Sequence, residues 1–177
     1  MTAPPAVRAL VEACPPSTHR DRTLAFLDAC DDCDEWLAGA DGHITASAVV
    51  LDAAAERTLL IYHRKLERWL QPGGHVESAD ADLVAAALRE ATEETGIAGL
   101  IIDPDPVHLD VHWVGTHYHY DVRFVVRTPR GAEPSVNADV DQFLWVTADE
   151  LHGVGTDDSV IGLVAAALER VTPRRSC

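Results

Sequence analysis

Glu90, Glu93 and Glu94 follow one another closely behind Arg89, and the pair Gly73-Gly74 lies upstream of them. On a helix turning about 100° per residue, the three carboxylates fall within an arc of roughly 100° on one face. Carboxylates crowded in this way repel one another, and a hard divalent cation between them relieves the repulsion. Arg89 stands one helical turn before Glu93, where it can hold that side chain. Two glycines without side chains let backbone carbonyls approach a metal and backbone amides approach a phosphate. These are the parts of a magnesium and phosphate site. A lone E-x-x-E-E is more often a solvated helix face. Here the glycines, the arginine, the closing Gly96-Ile97 and the flanking strands coincide with it.

A second cluster alternates along a presumed strand: His117, His119, Asp121 and Arg123. Residues two apart on a strand share a side, so all four can face one way while Tyr118, Tyr120, Val122 and Phe124 face the core. The favoured reading has them lining a substrate pocket, with His117, His119 and Arg123 on phosphate. The weaker reading has the histidines binding a transition metal with His112 or His75. Trp69 and His63-Arg64-Lys65 flank the glycines; a base or phosphate partner could be among them, and a packed aromatic and a solvated turn explain them equally well.

The elements that must position these residues follow from hydrophobic spacing. Asp80 can cap a helix from Ala81 to Thr95, stopped by Gly96, with Leu83, Val84, Ala87, Leu88 and Ala91 on its apolar face. Strands are expected at Ile44 to Leu51, Thr58 to Tyr62, a short run ending near Pro72, and Leu100 to Asp103. Further strands are expected around Val111 to Val114, Tyr118 to Arg127 and Gln142 to Val146. Thr147 and Glu150 form a capping box for a short helical turn, and Asp158 to Val171 a closing helix. Towards the N-terminus, Leu24, Leu27, Cys30, Cys33 and Leu37 recur at helical spacing between Ser17, a plausible cap, and Gly39. The prolines at 4–5, 15–16, 104 and 106 read as loop boundaries.

Composition narrows the function classes. The chain of 177 residues is 47% hydrophobic, enough for one core without crosslinks. Its 14 Lys and Arg stand against 29 Asp and Glu, a net charge of −15, which disfavours a nucleic-acid polymer as partner. A small phosphorylated ligand remains compatible, because a bound cation reverses the local field. Cys14, Cys30, Cys33 and Cys177 are too few for a disulfide framework. Cys30 and Cys33 share the apolar stripe, which favours buried small hydrophobes over a zinc pair. Neither a signal peptide nor a membrane span is expected, and the expected location is cytoplasmic.

The segment Gly73 to Ile97, GGHVESADADLVAAALREATEETGI, resembles the Nudix hydrolase box, G-x5-E-x7-R-E-U-x-E-E-x-G-U with U apolar. Arg89 to Ile97 matches the second half without a gap. Counting back from Arg89 puts the box glycine on His75 and the first glutamate on Ala81. With one inserted residue, Gly74 and Asp80 take those two places, and for Asp80 a helix cap is the competing role. The strand ending Trp69-Leu70-Gln71-Pro72 and the later Phe143-Leu144-Trp145-Val146 ahead of Asp149-Glu150-Leu151 extend the likeness to residues from about 43 to 170.

The resemblance implies an α/β fold: a Nudix-type α/β/α sandwich with a mixed sheet. It implies a single domain over 1–177, with a helical N-terminal extension over 1–40 and a core of about 43–171. That extra helix would pack on the sheet or on a second subunit, as in a homodimer. The implied activity is hydrolysis of a diphosphate linkage in a nucleotide or other small phosphorylated metabolite, with water attacking phosphorus and magnesium, or manganese, as cofactor. Carried over, the metal ligands are Glu90, Glu93, Glu94 and the Gly73 carbonyl. Glu93 is the first choice to orient or deprotonate the water, with Arg89 beside it. Some Nudix enzymes use an acid outside the box, and Asp158 is placed for that role or for a helix start. Two alternatives carry less weight. An isopentenyl-diphosphate isomerase would have a catalytic cysteine segment where Gln71-Pro72-Gly73-Gly74 stands. A non-catalytic ligand sensor on this fold would usually have lost the three acids.

Overall fold

The computed structural model describes residues 5–29, 41–136, 140 and 142–172. Two helices come first, α1 (Pro5–Ala13) and α2 (Thr18–Ala29). Strands β1 (Gly42–Leu51), β2 (Thr58–His63), β3 (Arg68–Leu70) and β4 (Gly73–His75) lead to helix α3 (Leu83–Thr95). Strands β5 (Ile101–Trp113), β6 (Tyr118–Arg127) and β7 (Phe143–Val146) precede a 3-10 helix (Ala148–Gly153) and helix α4 (Asp158–Val171).

The sheet runs β3-β2-β1-β6-β5, with β4 paired to β1 and β7 to β2. It is mixed, since β1 and β6 run parallel from Gly42↔Tyr118 to Leu51↔Arg127 while the other pairs are antiparallel. The two faces of β1 divide by parity. Ile44 and Ala46 pack with Leu83, Ala86 and Ala87 of α3 and with Val7, Val11 and Leu27 of the N-terminal helices. Val49 and Leu51 pack instead with Val160, Leu163, Val164 and Ala167 of α4. Both faces are thus covered, giving the expected α/β/α sandwich.

Three expectations change in detail. The helix cap is Asp82, not Asp80: its carboxylate accepts a hydrogen bond from the Ala85 N–H at 2.8 Å, and the helix starts at Leu83. The strand expected at 100–103 and the one near Val111 are a single strand, β5. Pro104 and Pro106, read as loop boundaries, fall in the register slip between Asp103 and His108 on this outermost strand. An edge with a slip tolerates residues that cannot donate to the ladder. Finally, the short strand expected to end near Pro72 is followed at once by another: Gly73 and Gly74 lie in β4, paired with Thr45 to Ser47.

Among the described residues of the N-terminal region, α1 precedes the expected helix. Ser17 does cap the second, accepting from the Arg20 N–H at 3.1 Å. Both helices pack on the sheet: Val11 and Leu27 are fully buried, Phe26 stacks on Tyr120 at 4.1 Å, and the Val111 N–H donates to His19 Nδ1 at 2.9 Å. Cys14 is buried in this cluster, its thiol pushed up to about 11 by burial, as an inert small hydrophobe requires. The Cys30, Cys33 and Leu37 part of the expected stripe, and Cys177, lie outside the described residues.

Candidate active site

Two elements face each other across the site: the β4 glycines and the C-terminal half of α3. A Cβ on Gly74 would come within 2.7 Å of Glu90 Oε1, and one on Gly73 within 2.1 Å of the Ser47 Cβ. At Gly73, against the Ser47 backbone, only glycine fits; at Gly74 a side chain would push the Glu90 carboxylate aside. The Gly73 N–H donates to Glu94 Oε2 at 2.8 Å, so the helix is tied directly to the strand.

Arg89 organises the acids. Its Nε and Nη2 donate to the two oxygens of Asp80, both at 3.0 Å, a bidentate pair of the strongest kind for a guanidinium. Nη2 also reaches the His75 carbonyl at 2.9 Å, while Nη1 donates to Glu90 at 2.9 Å and to Glu93 at 3.1 Å. The Asp80 hydrogen bonds, foremost among these contacts, raise the guanidinium pKa, and they hold the Asp80 carboxyl below its ordinary value. Asp80, with its insertion, is therefore the anchor of Arg89.

Glu90 is half-buried, and burial raises its carboxyl above the ordinary value despite Arg89 beside it. Glu93 is the outermost of the three, its side chain 60% exposed. A hard divalent cation suits these donors: all are oxygens, Glu90 is a desolvated carboxylate, and Gly74 leaves open the space beside it.

On the α4 side of the sheet a buried polar layer adjoins the glycines. Asp121 accepts from Thr45 Oγ1 at 3.1 Å, from Ser47 Oγ at 2.7 Å and from Arg123 Nε at 2.7 Å. Arg123, expected to meet phosphate, is only 3% exposed. Its remaining donors go to Asp110 at 3.1 Å and to the Ser159 hydroxyl at 2.6 Å. It braces β5, β6 and α4 from inside, because a buried guanidinium needs every donor met. Asp110 also accepts from the His112 ring at 2.7 Å. Burial would raise the Asp110 carboxyl, but His112 and Arg123 together hold it far below its ordinary value. Asp110 was missed from the sequence, although His108, Asp110 and His112 alternate there as visibly as the β6 residues do.

His117 and His119 lie where this layer opens, beside His43 and His75, with His112 on the outer edge. Burial and the neighbouring imidazoles lower His43 and His119 to about 4, so both rings are neutral near pH 7. Asp158 occupies the first, exposed turn of α4, and the cap is Asp157, which accepts from the Val160 N–H at 3.0 Å. Trp69 packs with the α4-side core and its ring meets Tyr62 edge-on at 5.2 Å.

The family model described as the NUDIX domain matches residues 42–162. Phosphatase NudJ of Escherichia coli strain K12 is 33% identical over 118 residues, covering 62% of this chain and 71% of that protein. Among solved structures, a Caenorhabditis elegans Ap4A hydrolase superposes with a TM-score of 0.64 at 17% identity, over 72% of this chain and 96% of its own. A Clostridium perfringens hydrolase of the NUDIX family gives 0.63 at 20% identity, over 73% and 98%. Likeness at such identities bears on the fold. Residues 1–41, which carry α1 and α2, lie outside the match.

Proposed function

The chain belongs to the Nudix hydrolase family, and from that premise we propose that it hydrolyses a diphosphate linkage in a nucleotide or similar small metabolite with magnesium held by Glu90, Glu93, Glu94 and the Gly73 carbonyl. The observation that carries this reading is Arg89, locked by Asp80 and the His75 carbonyl and pointing its free edge at Glu90 and Glu93. A bound cation would supply acidification of the attacking water and neutralisation of the phosphate oxygens.

The chain's own side chains divide the rest. Glu93, the most solvent-facing acid, takes the proton from the water that attacks phosphorus. Arg89 holds that carboxylate in place. The Glu94 bond to Gly73 fixes the glycine strand against the helix, so the substrate's phosphates meet a rigid backbone. His117 is the substrate contact at the open end of the polar layer, with His119 beside it. The relatives' names suggest dinucleoside polyphosphates and other phosphorylated metabolites as substrates to try first.

The test is a hydrolysis screen over nucleoside triphosphates, dinucleoside polyphosphates, nucleotide sugars and non-nucleotide diphosphates. Turnover of at least one group should require magnesium or manganese and stop with chelator. Full turnover by a metal-free preparation in excess chelator would refute the reading.

A further inference from the structure

His43 on β1, His75 on β4 and His119 on β6 come from three different strands, yet one ring nitrogen from each lies within 4.8 Å of the others. The ring centroids are 4.8 Å apart for His43–His75 and for His43–His119, and 5.2 Å for His75–His119. His117 completes the group, 4.7 Å from His43 and 5.2 Å from His119. Strand register produces this convergence: His43 pairs with His119 across the parallel ladder, and His75 pairs with Thr45, the next residue of β1 on the same side.

The group contains unmet chemistry. His43 is 7% exposed, and its Nε2 is buried without a hydrogen-bond partner; the same holds for the Nε2 of His117. Leaving a buried polar atom unpaired costs roughly 1–3 kcal/mol. Packing alone would not select four imidazoles here. A metal ion held between His43, His75 and His119 would satisfy the orphaned His43 nitrogen.

We propose that His43, His75 and His119 bind one borderline-soft divalent cation of the zinc class, with His117 adjacent to the fourth position. All-nitrogen donors select zinc, nickel or copper and not magnesium, which requires oxygen. Zinc-to-imidazole bonds of about 2.0–2.1 Å demand a tighter cluster than the one seen. The exposed His75 ring and the half-buried His119 ring can swing inward to provide it. The ion would also act on the glycine strand, because the His75 carbonyl is one of the groups that hold Arg89. It would keep positive charge beside His117, where substrate phosphate is expected.

The test uses the untagged full chain, stripped of metal and then held in excess magnesium so that the oxygen donors are occupied. Zinc is titrated against a chromophoric chelator, and cobalt is added separately as a spectroscopic probe. One equivalent of zinc should bind, cobalt should give the visible bands of a tetrahedral nitrogen site, and melting temperature should rise with zinc. His75→Ala, at an exposed position, and His119→Gln should each weaken zinc binding on the order of 100-fold while their zinc-free melting stays near that of the parent. Binding of zinc with unchanged affinity in both variants would overturn the proposal, as would no stoichiometric zinc in the parent. None of the three readouts uses hydrolysis, so failure here is distinguishable from failure of the magnesium site.

Discussion

Asp80 shows how one carboxylate can be misplaced by a count of residues and restored by geometry. The insertion removes it from the box spacing, yet both its oxygens bind Arg89, and the cap belongs to Asp82 two residues on. Asp80→Asn keeps size and shape but weakens that grip, so Arg89 should wander and turnover should fall by roughly 100-fold, the scale of a misplacement near 1 Å. Asp80→Glu should recover part of it. Steady-state kinetics on the two variants checks this, with circular dichroism to confirm that both fold. Gly74→Ala makes a sharper prediction: its Cβ would press on Glu90, so magnesium-dependent turnover should drop at least tenfold while the fold survives. At this scale the acids of α3 were legible because helical periodicity places them unambiguously. Arg123 was not, since alternation along a strand tells which side a residue faces but not whether that side is buried. Its partners, Asp110 and Ser159, come from elements far away in the chain.

Elements were legible where one periodicity ran uninterrupted. Strands β1, β6 and β7 and helices α3 and α4 fall close to their expected limits. Where prolines interrupt a pattern, the reading failed: β5 was divided at Pro104 and Pro106, because the sequence cannot say that this strand is an edge with a register slip. Helix α1 was missed although Val7, Leu10 and Val11 recur at helical spacing in PAVRALVEA, because the run is only nine residues long and is bounded by prolines. The N-terminal pair stabilises the sheet through Leu27 and Val11, both fully buried. Leu27→Ala should therefore cost about 2–5 kcal/mol of stability, as truncations of buried leucines do. Turnover measured well below the melting temperature should change little, because neither helix supplies a proposed ligand. Denaturant unfolding beside kinetics tests both halves of that statement.

For the whole molecule, the excess of acids that disfavours polyanions also concentrates carboxylates at one end of α3. No helix among the described residues is long and apolar enough to cross a membrane. Acid sensitivity should instead come from the interior. His108, packed against Gly162 of α4, has its pKa lowered to about 4 by burial and by the charge of Arg123, with Asp110, Asp121 and His19 as its other charged or titratable neighbours. The unfolded chain takes up this proton near pH 6.5, whereas the folded chain resists it until about 4. Stability should thus hold above pH 6.5 and decline as pH falls from there towards 4. His43 and His119, lowered likewise, act in the same direction, so His108→Leu should lessen that decline in a series of melting curves without abolishing it.

The central claim, that the glutamates of α3 carry magnesium-dependent hydrolysis, is tested most directly at Glu94. Glutamine at this position retains an oxygen able to accept the Gly73 N–H, so the tie between helix and strand persists while the charge is removed. The measurement is turnover on the best substrate of the screen, taken beside magnesium-dependent melting, for the parent and Glu94→Gln. The account predicts a folded variant whose turnover falls by several powers of ten, each tenfold corresponding to about 1.4 kcal/mol of barrier. Its stabilisation by magnesium should shrink in parallel, since a ligand stabilises in proportion to its affinity for the folded state. Unchanged turnover together with unchanged stabilisation by magnesium would contradict it.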